Sequence, residues 1–258
     1  MAADIRSSVP EPLYDAAHSP ELAYLLAVAL ALDRSGATLE RQLSLAEHRL
    51  GRERATLIRS LYDELAETGA EYRLPLMQVA FPSLRRRPLP QLEYLVRLAS
   101  DLIEVDGDVD LYEYCFYRML VANYERAGNP SRTRRRQDPG RERVRKAAID
   151  LLAILARHGN TDDSSRQQAF HAGAATFGSW SQRYAYDARR RYPVRELDGV
   201  LDLLLALNGE GRQMLLKAVT ATVLADGRLA LAEAELLRAV CTSLDCPMPP
   251  VLLRQPVT

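Results

Sequence analysis

With 258 residues the chain is long enough to bury a sizeable core, as one large domain or two small ones. Its 34 Lys and Arg balance 34 Asp and Glu, which excludes a whole-chain electrostatic pull toward nucleic acid or a membrane. Three cysteines without framework spacing and four scattered histidines argue against a disulfide scaffold or a zinc knuckle, and fit reduced thiols in a cytosolic compartment.

The N-terminus "MAADIRSSVPEPLYDAAHSP" lacks the basic-then-apolar pattern of a signal peptide. In "SPELAYLLAVALALD", Ser19 is a plausible N-cap and Pro20 a first helical residue. Its apolar run, Leu22 to Leu32, is well short of the ~20 residues that cross a bilayer, and predicts a helix buried on all sides. Leu39, Leu43, Ala46 and Leu50 recur at helical spacing, with Gly51 as a stop. Leu57, Ile58, Leu61 and Leu65 form the next stripe. "YRLPLMQVAFPSL" predicts a shorter apolar helix that Pro82 ends or kinks. Two longer helices follow, on either side of "VDGDVD".

From Arg126 to Lys146 the chain reads "RAGNPSRTRRRQDPGRERVRK", with nine basic and two acidic residues. Glycine, proline and serine interrupt the run, which predicts a basic loop. Arg132, Arg134, Arg135, Arg136, Arg141 and Arg143 are its candidate contacts for phosphate, as in lipid headgroups or nucleic acid, and a solvated linker is the plain alternative. Helical periodicity then resumes, with Thr161 or Asp162 as a cap. "SWSQRYAYDARRRYPVRE" is ambiguous: Trp180 and three tyrosines beside Arg189, Arg190 and Arg191 could stack on a ligand or staple a loop to the core. Three further helices and a proline-rich tail complete an all-α reading of about ten or eleven helices.

One motif occurs twice. "IEVDGDVDLYEYCFYRML", Ile103 to Leu120, looks at first like a calcium loop, but the sixth and twelfth positions counted from Asp106 are Leu111 and Tyr117, where such a loop needs Gly and Glu. "VLADGRLALAEAELLRAV", Val223 to Val240, repeats its frame 120 residues later: Asp106-Gly107 falls on Asp226-Gly227, and Glu113 on Glu233. Each copy predicts a helix ended by a left-handed glycine and followed at once by another helix. Asp110 and Glu113 have the spacing of a capping box, whose Asp is replaced by Ala230 in the second copy. An aspartate before the glycine sits against the helix dipole, so a backbone amide, Arg118 or Arg238, or a shared cation should offset it.

This repeated frame resembles the TerB-like helical domain, first named from tellurite-resistance proteins. The resemblance implies two hairpins near each other across a pseudo-twofold axis, and a possible divalent-cation site at Asp106, Glu113, Asp226 and Glu233. More of the chain, "YRLPLMQVAFPSLRRRPLPQLEYLVRLASDLIEVDGDVDLYEYCFYRML" and "VTATVLADGRLALAEAELLRAVCTSLDCPMPP", is similar to the soluble C-terminal region of bacterial membrane-bound zinc metallopeptidases related to HtpX and the CAAX-prenyl proteases. Those enzymes hold zinc with two histidines four apart on a helix, and no HExxH occurs here. Any zinc would belong to a missing catalytic domain.

The resemblance implies a non-catalytic regulatory or protein-interaction domain, facing the cytosol at the bacterial inner membrane. Its partners would be the peptidase and membrane part of the same protein, the anionic membrane surface or a client protein, with nucleic acid not expected. The alternative is a divalent-metal-responsive module in the TerB manner. The expected organisation is an N-terminal helical extension over 1–88, a TerB-like domain over 89–250 split by the 126–146 loop, and an extended tail over 251–258.

Overall fold

A computed structural model describes residues 9–34, 36–128 and 139–249. Among them are twelve α-helices, three short 3-10 turns and no strand. No described helix is long and apolar enough to cross a membrane. The chain falls into two compact units, Met1–Pro130 and Ser131–Thr258. This division lies at 130/131, whereas the expected boundary lay at 88. The residues expected as an extension share a unit with the first Asp-Gly hairpin, because helices from both parts pack on one central helix.

In the first unit that helix is α2 (Pro20–Leu30), with α1 (Glu11–His18) just before it. Residues 23–32 are buried throughout, as an all-round apolar run requires. Ser19 caps α2 by accepting from the amide of Leu22 at 3.5 Å. Around α2 pack α1, α4 (Arg52–Ala66), α5 (Arg73–Leu84) and α6 (Leu89–Ile103). α3 (Gly36–Leu50) leans on α4 and α6. Gly51 separates α3 from α4 with a φ of 86°, the left-handed region open to glycine. The carbonyls at the end of α2 are not left bare. Arg73 donates to those of Leu30 and Leu32 at 3.1 and 3.0 Å, and the Tyr112 hydroxyl donates to that of Leu30 at 2.8 Å. Buried Gln42 accepts from the amide of Asp33 at 2.7 Å and donates to the Leu102 carbonyl at 3.0 Å. It ties two helix ends together and satisfies its own amide. α7 (Leu111–Gly128) closes the unit against α6.

The second unit repeats the plan around α8 (Arg141–Gly159), against which α9 (Asp163–Ala175), α10 (Leu197–Leu204), α11 (Gly209–Val223) and α12 (Leu231–Leu244) pack. Asp162 caps α9 by accepting from the Ser165 amide at 2.9 Å. The ambiguous stretch between α9 and α10 holds two 3-10 turns and serves as a staple. Tyr186 and Tyr192 are buried and stack at 5.4 Å, Trp180 stacks on Phe177 at 5.1 Å, and Arg190 bonds both Asp150, at 3.0 Å, and Glu196.

The repeat extends past the hairpin motif. α5 and α10 end at Leu84 and Leu204, α6 and α11 run Leu89–Ile103 and Gly209–Val223, and α7 and α12 begin at Leu111 and Leu231. Every one of these boundaries recurs 120 residues later. Five of the six buried positions of α6 recur too: Leu95, Leu98, Ala99, Leu102 and Ile103 fall on Leu215, Ala218, Val219, Thr222 and Val223, while buried Leu92 falls on half-buried Arg212.

Candidate functional site

Each hairpin is built by its own amides. After α6, the Gly107 amide donates to the Glu104 carbonyl at 3.2 Å, and the chain turns through Gly107 at a φ of 83°. After α11, Gly227 donates to Leu224 at 3.0 Å and turns at 79°. The aspartate before each glycine faces forward across the turn. Asp106 Oδ1 accepts from the Asp108 amide at 3.1 Å, and Asp226 Oδ1 accepts from the Arg228 amide at 2.9 Å. An amide beyond the turn therefore offsets the charge at the helix end, which explains the aspartate in both copies.

The next helix starts on a glutamate. Asp110 Oδ1 accepts from the Glu113 amide at 2.7 Å, and Glu113 Oε2 accepts from the Asp110 amide at 2.9 Å, a reciprocal capping box. In the second copy Ala230 has no oxygen to offer. The other half survives: Glu233 Oε2 accepts from the Ala230 amide at 3.0 Å. The second box, without its aspartate, is thus half kept.

Both glutamates are buried, 8% and 5% exposed, although their class is among the most exposed. Loss of water pushes each carboxyl up to about 7. Asp110, Asp106 and Asp33 add repulsion at Glu113, while Asp226 does so at Glu233. The second glutamate lies directly on the end of α8. A Cβ at Gly159 would stand 2.3 Å from Glu233 Oε1 and 2.5 Å from its Cγ, so any larger residue there would have to push the Glu233 side chain aside.

The four candidate metal ligands do not share a unit: Asp106 and Glu113 are in the first, Asp226 and Glu233 in the second. Among the described residues no group of three or more His, Cys, Asp or Glu is placed to hold a metal ion.

The basic contact set divides as well. Arg132, Arg134, Arg135 and Arg136 lie outside the described residues. Arg141 and Arg143 are not in a loop but in the first turn of α8, which begins after Gly140, another glycine with a positive φ, at 83°. Arg143 and Lys146 line one wall of an open trough of about 790 Å³ within the second unit. Gly199, Val200 and Leu203 of α10 line the other, and Arg190 and Arg195 stand beside it. Periodicity along α8 puts Arg143, Lys146 and Asp150 on one stripe, but only the packing of α10 makes a trough of it. Cys241 is fully buried and its thiol is pushed up to about 12 by loss of water, so it is a core residue and not a nucleophile.

No protein-family profile, no curated protein and no solved structure matches this chain.

Proposed function

We propose that the chain is a non-catalytic regulatory or protein-interaction domain. Its setting would be that of the metallopeptidase resemblance: the cytosolic side of a bacterial inner membrane, beside the zinc peptidase and membrane-spanning part of the same protein. One observation supports this reading above the others. The carboxylates that recur in both hairpins, whose pattern most suits a cation or proton transfer, are each engaged by the chain's own amides. They shape turns and leave the surfaces of the helices for contact.

The trough along α8 and α10 is the interaction surface this reading assigns. The eight residues of α10 make it roughly 12 Å long. Its floor is apolar, and Arg143 and Arg195 on its rim have no ion-pair partner among the described residues. That combination suits one face of an acidic amphipathic helix. A photo-reactive residue at Leu203 tests it in cells. A cross-link to an HExxH-bearing peptidase part or its client is the expected result. Cross-links confined to unrelated proteins, or unchanged by Arg143→Glu with Arg195→Glu, would refute it.

A second reading, a divalent-cation-responsive hairpin, draws on the acidic surroundings of Glu113, where Asp33, Asp106 and Asp110 lie close. Calorimetry with calcium, magnesium and manganese separates the two. An interaction domain gives no heat and an unchanged Tm, whereas a cation module gives a Tm that rises with ion concentration.

A further inference from the structure

The first unit contains a cleft of about 570 Å³ that no sequence motif marks. Three helices begin at its walls. Leu22 is in the first turn of α2, Arg54 in that of α4, and Gln91 in that of α6. Neither Gly51 before α4 nor Pro88 before α6 offers a side chain to the first amides of its helix. The positive ends of two uncapped helices therefore face this region.

The side chains agree with that field. The Arg87 guanidinium lies 5.0 Å over the Tyr24 ring, fixed by bonds to the Pro20 carbonyl and to Gln91, both 2.9 Å. Arg54 is exposed on the wall and has no ion-pair partner among the described residues. A third guanidinium, that of Arg49, is held by Asp101 at 2.7 Å. Two carboxylates, Glu21 and Glu53, also line the cleft, and both are exposed.

The observation that turns a charged cleft into a site is Tyr24. It is 7% exposed, yet its hydroxyl makes no hydrogen bond with a described residue. Loss of water, together with the nearby Tyr94 phenol, pushes that hydroxyl up to about 12, while Arg87 and Arg54 lie close enough to oppose the shift. It is a donor held in place and still to be used, between two guanidiniums, whereas the Tyr94 hydroxyl already donates to the Arg49 carbonyl at 3.3 Å. The remaining surface is apolar. Of the large hydrophobic residues exposed among those described, Leu22, Leu57 and Tyr94 all line this cleft, at 36%, 44% and 37%. An exposed apolar patch beside convergent polar groups is how small-ligand sites are built.

We infer that the cleft binds a small organic anion, with its carboxylate or phosphate head against Arg54 and the Tyr24 hydroxyl and its apolar body against Leu22, Leu57 and the Tyr94 ring. Such a head on such a body could belong to a soluble compound or to an anionic lipid. Calorimetry on the full chain with octanoate, phenyl phosphate and 1-octanol tests the chemistry. Vesicles of phosphatidylglycerol, against phosphatidylcholine, test the source. At least one anionic probe should bind with a submillimolar Kd, at least tenfold tighter than the neutral alcohol. Arg54→Gln, on the surface, and Tyr24→Phe, which keeps the ring, should each weaken it three- to tenfold with no loss of helicity. Vesicle binding that Arg54→Gln removes assigns the lipid, and soluble binding without vesicle binding assigns the free compound. Absence of both, equal binding of the alcohol, or binding untouched by both substitutions overturns the inference.

Discussion

The two Asp-Gly hairpins are the same device in different surroundings. The first is rich in acid: Asp106, Asp108 and Asp110 follow one another, and Glu113 has three aspartates near it. The second has Arg228 and Ala230 where two of those aspartates stood, and Glu233 has one aspartate near it. Even so, both glutamates are pushed to about 7, and loss of water is the leading cause in each. Burial at the helix start, and not the acidity of the loop, sets the protonation of this pair. What differs is how each carboxyl is confined. Glu113 is held by a complete capping box, and Glu233 by half a box and by the bare backbone of Gly159.

The strongest way to break the comparison is through proton binding. A carboxyl near 7 in the folded chain and near 4.5 in the unfolded one favours folding in its protonated form. Its stabilisation is fully present below pH 4.5 and is lost as pH rises toward 7, by up to ~3 kcal/mol for each glutamate. Denaturant unfolding at pH 5 and pH 8 should show this fall. Glu113→Gln and Glu233→Gln should each remove a similar share. A much larger share at Glu113 would mean that its aspartates outweigh burial.

Next in size is Gly159→Ala. The added methyl would overlap the Glu233 carboxyl, costing about 1–3 kcal/mol. Combined with Glu233→Ala the cost should largely vanish, so a double-mutant cycle by chemical denaturation reads the coupling directly. An additive result would show that the two do not press on each other.

The missing half of the second cap gives a smaller and opposite pair of effects. Asp110→Ala should destabilise the first unit by ~1 kcal/mol, and Ala230→Asp should stabilise the second by somewhat less, since an added aspartate also repels Glu233. Thermal unfolding of both variants checks the signs. The smallest effect is expected at the turns themselves. Asp106→Asn and Asp226→Asn keep the oxygen that accepts the amide two residues on, so each should stay within about 0.5 kcal/mol of the parent. A larger loss would reveal a role for the negative charge that the hydrogen bonds do not account for.

Much of this architecture is legible in local chemistry. Ser19 and Asp162 as caps, Gly51 as a stop, Gly107 and Gly227 as left-handed turns, and the Asp110–Glu113 box all follow from interactions spanning a few residues. Pro82 is an instructive case, since it neither ends α5 at once nor is excluded from it, but stands two residues before its last residue. The basic run was the least legible. Arg141 and Arg143 look like loop by charge alone, yet Gly140 allows α8 to begin at Arg141.

Helices and their turns were determined by the sequence alone, because apolar periodicity, caps and glycine conformations act within one or two helical turns. Tertiary structure decided the division at 130/131, the burial that protonates Glu113 and Glu233, the fit of Glu233 on Gly159, and the cleft where α2, α4 and α6 begin. Each of these depends on which distant surfaces remove one another from water, and no local pattern carries that information.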